Sequence, residues 1–291
     1  MLPRLQLARL YRSVRWPDVI VLQGAPLLGL AFSVGPVTSA KLTMSISFGL
    51  ASLLLMIHVF TFNDWADFTR GVHHSDPATL ELERSNINPQ ALLAFSLLQL
   101  GASYLLFLLL SERCSLLAIL IAALGILYSH PSLNAKSVPI VSTLLHFMGG
   151  IFHFLLGYTF FSAIDQRGVL IGFFFGLTFA AGHPVQEVRD VLEDSHAGAK
   201  TNAIVFGQLP CFIAGLILFT SQYLYLFWLA WSGFIPRPLV ILSFACYAIH
   251  MWWAVLTLRG DLTAASITRF EKRYRVLYVT IGLVLLWSSL G

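Results

Sequence analysis

Long apolar runs alternate with short polar segments along the whole chain of 291 residues. A helix needs about 20 apolar residues to cross the hydrocarbon core of a bilayer. Nine runs approach that length, so the pattern predicts an all-α integral membrane protein with nine transmembrane helices. They cover residues 18–35, 42–61, 90–110, 114–129, 138–163, 168–182, 209–232, 236–257 and 276–291. No segment between the runs is long enough for a soluble domain, which favours a single membrane domain over residues 1–291.

The composition supports this interpretation. Hydrophobic residues make up 57% of the chain and charged residues 11%, and the mean hydropathy is +0.77. A soluble domain would carry about 25% charged residues. The balance excludes a disordered chain, a nucleic-acid binder and almost any soluble enzyme. Cys114, Cys211 and Cys246 are far apart and show no metal or redox spacing, so we expect them to be packing residues.

Basic residues fall mainly in alternate loops. With the N-terminus in the cytoplasm, nine spans place 14 of the 18 Lys and Arg on the cytoplasmic side. An excess of this size follows the positive-inside rule and favours an odd number of spans. We expect a multi-pass protein of the cell's inner or plasma membrane.

Acidic residues are concentrated in two of the cytoplasmic loops, after the second and sixth runs. These loops hold nine of the fourteen acids. They are Asp64, Asp67, Asp76, Glu81 and Glu83 in one loop, and Glu187, Asp190, Glu193 and Asp194 in the other.

The spacing of these acids predicts a metal site. If the second run continues as a helix, Asn63, Asp64 and Asp67 share one face; Asp190 and Asp194 are again four residues apart. Carboxylate and amide oxygens at helix ends are suitable ligands for Mg²⁺. The alternative is that these are solvated acids, paired with neighbouring basic residues. Those neighbours are Arg70, Arg84, Arg189 and Lys200.

A magnesium ion held by few carboxylates completes its shell with water and phosphate oxygens. Arg70, Lys136 and Lys200 are candidates to bind that phosphate, together with Arg15 at the start of the first apolar run. The chain has no Gly-rich phosphate loop, which disfavours a soluble nucleotide. A diphosphate with a long hydrocarbon tail, lying between the helices, fits better.

These motifs resemble those of the UbiA-type intramembrane prenyltransferase superfamily. The NDxxD pattern stands at 63–67 and the DxxxD pattern at 190–194, followed by Gly198, Lys200 and Thr201. Between them, the segment 128–131 with Lys136 and Pro139 is similar to the family's Tyr/Lys segment. Arg15 and Pro17, with Pro26 and Gly29, are similar to the family's opening.

The resemblance implies nine helices around a central cavity and a Mg²⁺-dependent reaction. Asn63, Asp64, Asp67, Asp190 and Asp194 would bind the metal, and the four aspartates would carry the catalysis. Arg15, Arg70, Tyr128, Lys136 and Lys200 would bind the diphosphate of a prenyl donor. The implied partners are that donor, a small aromatic acceptor and membrane lipids.

Finer details are similar to 1,4-dihydroxy-2-naphthoate prenyltransferases, and imply a quinone-precursor acceptor. They are Arg70–Gly71 after the first motif, Arg189–Asp190 at the second, and the segment 86–89. Many members have a further aspartate at the position of Gly71, and Asp76 is the candidate to replace it.

Other functions compete with this interpretation. A UbiA-type terpene cyclase would share the fold and the metal motifs, but would close the prenyl chain on itself without an external acceptor. An ion or solute transporter would explain acids near helix ends, but not the Tyr/Lys segment. A CDP-alcohol phosphotransferase would need a longer Asp signature, which the chain lacks.

Some polar residues lie inside or beside the apolar runs. His58, His146, His153 and His250 could bind the acceptor or form hydrogen bonds between helices. No histidine or cysteine has zinc-ligand spacing. The basic run 269–275 is typical of an anchor for lipid headgroups.

The distribution of basic residues makes a prediction about topology. Cysteines introduced at Ser75 and Ala197 should both face the cytoplasm, because the basic loops stay on that side. An impermeant thiol reagent added to intact cells should therefore fail to label either position, and should label both after permeabilisation. Ready labelling from outside would contradict the nine-span arrangement.

Overall fold

The computed structural model describes residues 8–72 and 87–290, and every regular element among them is a helix. Residues 8–12 form a short helical turn before the first labelled helix. The helices are α1 Trp16–Leu22, α2 Gly24–Ser33, α3 Ser39–Thr69, α4 Pro89–Leu110, α5 Glu112–Ser129, α6 Val141–Phe161, α7 Gln166–Arg189, α8 Val191–His196, α9 Asn202–Phe206, α10 Gln208–Trp231, α11 Leu239–Leu258 and α12 Ala264–Leu290. A short 3₁₀ helix, Ala135–Ser137, precedes α6.

Within the described ranges, eight segments are long and apolar enough to cross a membrane: α1 with α2, α3 to α7, α10 and α11. This confirms the predicted multi-pass membrane fold. The ninth predicted run forms the end of α12, which begins at Ala264, twelve residues before the expected start. Helix α12 includes the charged run 269–275, and it is not among the eight segments that are long and apolar enough to cross a membrane.

The first predicted span is broken into two helices at Gln23, which was not expected. Pro26 lies in the first turn of α2. Proline has no backbone N–H, and its ring clashes with the carbonyl four residues earlier, here that of Leu22. The chain accommodates Pro26 by ending α1 at Leu22 and starting α2 at Gly24.

Contacts divide the chain into two compact units. The first comprises Met1–Leu27 and Pro36–Ala135, and the second Leu28–Gly35 and Lys136–Gly291. In the first unit, α3 packs against α1, α4 and α5. In the second unit, α7 packs against α6, α10 and α12, and α11 packs between α10 and α12.

Buried hydrogen bonds join α3 to α4 in the first unit. The Ser103 hydroxyl donates to the carbonyl of Ala51 at 2.7 Å, and the Ser96 hydroxyl donates to the carbonyl of His58 at 3.1 Å. His58 Nδ1 lies 2.8 Å from Ser96 Oγ. Bonds of this kind hold helices together where apolar packing gives little specificity. They confirm the interhelical alternative for His58.

Glycines allow the second unit's helices to approach closely. A Cβ atom on Gly150 of α6 would lie 2.4 Å from the carbonyl oxygen of Phe175 on α7. A Cβ on Gly176 would lie 2.9 Å from the carbonyl oxygen of Phe147. Small residues at such crossings are typical of packing inside membranes. α6 runs without interruption through Gly149 and Gly150.

Large apolar side chains are exposed on the outside of the helices. Ile241 is 78% exposed and Leu109 is 75% exposed. Single exposed residues are normal in soluble proteins, but repeated exposure along helices of this length is expected when the solvent is lipid. The surface therefore agrees with a membrane environment.

The two adjacent glycines of α6 offer a matched pair for testing this packing. Gly150→Ala should destabilise the protein by about 2 kcal/mol, because the added methyl overlaps the backbone of Phe175. Gly149→Ala is the control, since nothing lies within 4 Å of a Cβ at Gly149 and alanine is the better helix former. Thermal unfolding in detergent should separate the variants, and equal behaviour would contradict the close crossing of α6 and α7.

Candidate active site

The first acidic motif lies on the last turns of α3, which extends to Thr69 and so passes beyond the apolar run. Asn63 and Asp67 are one helical turn apart, and Asn63 Nδ2 donates to Asp67 Oδ2 at 3.1 Å. The prediction that these oxygens share one helix face is confirmed. Asp64 is 4% exposed and Asp67 is 2% exposed, so both carboxylates are almost completely withdrawn from solvent.

Arginines bind both of these carboxylates. Arg15, just before α1, forms an ion pair with Asp64 Oδ1. Arg70, at the end of α3, donates from Nη2 to Asp67 Oδ1 at 2.6 Å. A buried carboxylate is costly without an opposite charge and hydrogen bonds. Each aspartate of the first motif is therefore paired with a different arginine. The structure brings together five of the residues expected at the site: Arg15, Asn63, Asp64, Asp67 and Arg70.

Two further residues, which the motif pattern did not predict, orient this cluster. The Ser129 hydroxyl, at the end of α5, donates to Asn63 Oδ1 at 2.8 Å. Arg70 donates from Nη1 to Asn134 Oδ1. Asn134 has φ of +43°, a conformation that asparagine tolerates better than most residues. The available signal was the segment 128–131, which contains Ser129; Asn134 lies between that segment and Lys136.

The second motif begins where α7 ends, at Asp190. Arg189 donates two parallel hydrogen bonds to the Asp190 carboxylate, from Nε to Oδ1 at 2.6 Å and from Nη2 to Oδ2 at 2.7 Å. Its remaining Nη1 donates to Glu271 Oε2 of α12, also at 2.6 Å. About a third of the Asp190 side chain is exposed, whereas Glu271 is buried.

Glu271 corrects one expectation, because the run 269–275 is not only a headgroup anchor. Its carboxylate points into the protein and holds Arg189. Burial raises the pKa of Glu271, while the guanidinium groups of Arg189 and Arg275 act in the opposite direction. Arg273 does extend along the surface, where it lies over the ring of Trp253 at 5.9 Å.

The rest of the second motif forms one turn of helix and a tight loop. The Asp194 amide donates to the Asp190 carbonyl at 2.9 Å, and the Ala199 amide donates to the Asp194 carbonyl at 2.9 Å. Gly198 makes this loop possible with φ of +67°. The loop leaves Lys200 exposed and Asp194 half-buried.

The remaining expected site residues are accessible in part. Tyr128 at the end of α5 and Lys136 in the 3₁₀ helix are both half-buried. Asp76 and Arg84 lie outside the described residues, so a replacement of the missing aspartate at Gly71 stays a prediction. Gly71 itself follows α3 with φ of +69°, where a side chain would be strained.

The histidines inside the helices have protein partners. His250 Nδ1 lies 3.2 Å from the Tyr223 hydroxyl on the neighbouring helix. His146 and His153 instead bond the carbonyls of Ser142 and Gly149, four residues earlier in their own helix. The interhelical explanation is therefore confirmed for His58 and His250, but the Nδ1 bonds of His146 and His153 stay within α6.

The donor atoms available at the two motifs are suitable for Mg²⁺. Asn63, Asp64 and Asp67 offer only carboxylate and amide oxygens, and so do Asp190 and Asp194. Among the described residues, no three or more His, Cys, Asp or Glu side chains cluster closely enough to hold a metal. Magnesium is commonly bound by one or two carboxylates together with water and substrate phosphate, so sparse carboxylate sites fit it better than zinc or calcium.

The fold and the motifs define an intramembrane enzyme with carboxylate sites at helix ends. The chain belongs to the UbiA prenyltransferase family, whose sequence profile matches residues 25–286. Among curated proteins, none is similar enough in sequence to count as a match.

Solved structures share the fold at low identity. A UbiA homologue from Archaeoglobus fulgidus, bound to DMAPP and Mg²⁺, has a TM-score of 0.70 and 16% identity, covering 96% of this chain and 99% of its own. A digeranylgeranylglyceryl phosphate synthase has a TM-score of 0.74 and 15% identity, with coverage of 98% and 99%. The apo homologue from Aeropyrum pernix K1 has a TM-score of 0.65 and 15% identity, with coverage of 93% and 95%.

The pairing of Asp67 with Arg70 can be tested by a double-mutant cycle. Arg70→Met should destabilise the protein by about 2 kcal/mol, because it removes the guanidinium that pairs with the buried Asp67 carboxylate. The double variant Asp67→Asn/Arg70→Met should be more stable than Arg70→Met alone, since the buried charge is gone. Thermal unfolding in EDTA would measure both, and simple addition of the two single effects would contradict the ion pair.

Proposed function

We propose that the protein transfers a prenyl group from a prenyl diphosphate to an aromatic acceptor within the membrane, with Mg²⁺ as cofactor. The observation that carries the proposal is the first motif: two buried aspartates on one face of α3, each bound by an arginine. Carboxylates bind a divalent cation and arginines bind phosphate, so this group matches a magnesium diphosphate.

The solved relatives support the choice of donor. One homologue from Archaeoglobus fulgidus is bound to DMAPP and Mg²⁺, and another structure of it is bound to GPP and Mg²⁺. Both ligands are diphosphates with a hydrocarbon tail. The present chain has the family's motif residues in the same order, which favours a donor of the same chemical class here.

Each residue assigned to the site has a role in this proposal. Asn63, Asp64, Asp67, Asp190 and Asp194 supply oxygens to the metal. Mg²⁺ held by these residues would supply positive charge to stabilise the leaving diphosphate. Arg15 and Arg70 exchange part of their carboxylate contacts for phosphate oxygens, and Tyr128, Lys136 and Lys200 add further donors to the diphosphate.

The reaction is balanced without another reactant. The bond between the allylic carbon and the diphosphate oxygen breaks, and its electron pair leaves with the diphosphate. An electron-rich carbon of the acceptor forms the new carbon–carbon bond, and the acceptor then loses a proton. Low water access protects the developing allylic cation, which aromatic faces also stabilise.

Fewer residues indicate the chemical class of the acceptor than indicate that of the prenyl donor. Arg70–Gly71 and Arg189–Asp190 are similar to 1,4-dihydroxy-2-naphthoate prenyltransferases, which favours a quinone-precursor aromatic acid. The basic loops favour an inner or plasma membrane location with the motif loops in the cytoplasm.

The activity can be tested with purified protein in lipid nanodiscs. A panel of prenyl diphosphates, each offered with and without monocyclic and bicyclic aromatic acids, should yield a prenylated acid detectable by mass spectrometry. Conversion of the donor to a cyclised hydrocarbon, whatever acceptor is present, would support a terpene cyclase instead. No consumption of any prenyl diphosphate would contradict both.

The same assay tests the assigned carboxylates. Turnover should require Mg²⁺ and stop in EDTA, and Asp67→Ala and Asp190→Ala should each lower it at least about a hundredfold, as expected for loss of a group that binds the metal. Asp261→Asn is the control, because Asp261 is an exposed carboxylate in a left-handed conformation that asparagine can adopt. Full activity in EDTA, or in both alanine variants, would overturn the site assignment.

A further inference from the structure

Ile140 has an unusual backbone conformation just before α6. Its φ is +67° and its ψ is −46°, which is strained for a β-branched residue. The turn is closed by the Val141 amide, which donates to the Pro139 carbonyl at 2.7 Å. The Ile140 side chain is 59% exposed, so its own packing does not hold this conformation in place.

Asn202 holds the strained turn from a distant part of the chain. The Ile140 amide donates to Asn202 Oδ1 at 2.7 Å. Asn202 Nδ2 donates in the other direction, to Glu187 Oε1 at 3.0 Å and to Ser142 Oγ at 3.3 Å. Asn202 is 7% exposed and Glu187 is 5% exposed, so solvent does not compete strongly for these bonds.

The two ends of this contact lie next to the two lysines assigned to the diphosphate. Ile140 follows Lys136 by four residues, and Asn202 follows Lys200 by two residues. Both segments belong to the second unit. The hydrogen bond between Ile140 and Asn202 therefore fixes the segment that carries Lys136 relative to the segment that carries Lys200.

We infer that Asn202 is a positioning residue that sets the spacing of Lys136 and Lys200 for the diphosphate; this inference rests on the proposed function. Asn202 acts through the backbone of Ile140, while Glu187 anchors the amide from the opposite side. A strained backbone persists only where surrounding contacts hold it, and such strain is often stored at functional sites.

The carboxamide of Asn202 allows a variant that disturbs only half of its contacts. Asn202→Asp keeps an oxygen for the Ile140 amide, but places a second carboxylate against Glu187 where a donor stood. The double variant Asn202→Asp/Glu187→Gln exchanges donor and acceptor, because the new glutamine amide can donate to the new aspartate. Total charge then equals that of the parent protein.

Hydrogen exchange gives a readout that does not depend on activity. The Ile140 amide should exchange slowly in the parent protein, about tenfold or more faster in Asn202→Asp, and again slowly in the double variant. Ser243→Ala is the control, since it removes a different hydrogen bond, from the buried Ser243 hydroxyl to the Val240 carbonyl. Ser243 is far from both lysines in sequence. This variant should leave Ile140 exchange unchanged.

Binding of geranyl diphosphate with Mg²⁺, in the absence of acceptor, then tests the positioning role. Asn202→Asp should weaken binding about tenfold, Lys136→Ala should weaken it as well, and the double variant should bind within about twofold of the parent. The dissociation constant for the aromatic acceptor should not change in any of them. In the unsubstituted protein, bound donor should slow exchange in residues 136–142 and 198–204 together.

The outcomes separate the inference from the proposed function. If the parent protein binds no prenyl diphosphate, the proposed function fails and the inference fails with it. If the parent binds donor, but Asn202→Asp exchanges faster at Ile140 and keeps the parent's affinity, the bond is structural only and the inference is wrong. If Asn202→Asp does not fold, the joint protection of the two segments in the unsubstituted protein decides, and protection of one segment alone overturns the inference.

Discussion

A polar group that leaves water must find its partner within the chain, because lipid tails and apolar side chains offer none. Helix α3 follows this rule along its length. In its middle, His58 bonds to Ser96 on α4, and near its end, Asp64 and Asp67 bind Arg15 and Arg70. The same requirement that joins the helices therefore also assembles the residues of the first acidic motif.

Both acidic motifs bind an aspartate in a similar way. In each motif, an arginine close in sequence binds one aspartate: Arg70 binds Asp67, and Arg189 binds Asp190. A residue distant in sequence then fixes each arginine: Asn134 in the first case and Glu271 in the second. A guanidinium that is already bound at both ends has little conformational freedom left to lose, so each arginine is preorganised.

Solved relatives keep this fold at about 15–17% identity. Positions that face lipid need only be apolar, so many substitutions there cost little. A substitution is expected to cost most where a carboxylate needs its cation or where a glycine lets two backbones meet. Gly150 against Phe175 is such a position, and so is the pairing of Asp190 with Arg189.

The amino-acid sequence by itself determined the membrane class, eight of the membrane-spanning segments and the common face of Asn63 and Asp67. These features depend on local periodicity and on run length, which the bilayer thickness sets. Tertiary structure alone decided that Asn134 binds Arg70, that Glu271 lies inside and that α12 starts at Ala264. A charged run becomes a buried helix face only when a distant partner is present, and hydropathy carries no information about that partner. Packing brings together residues such as Asn202 and Ile140, which are 62 positions apart, and no periodic pattern along the chain encodes that distance.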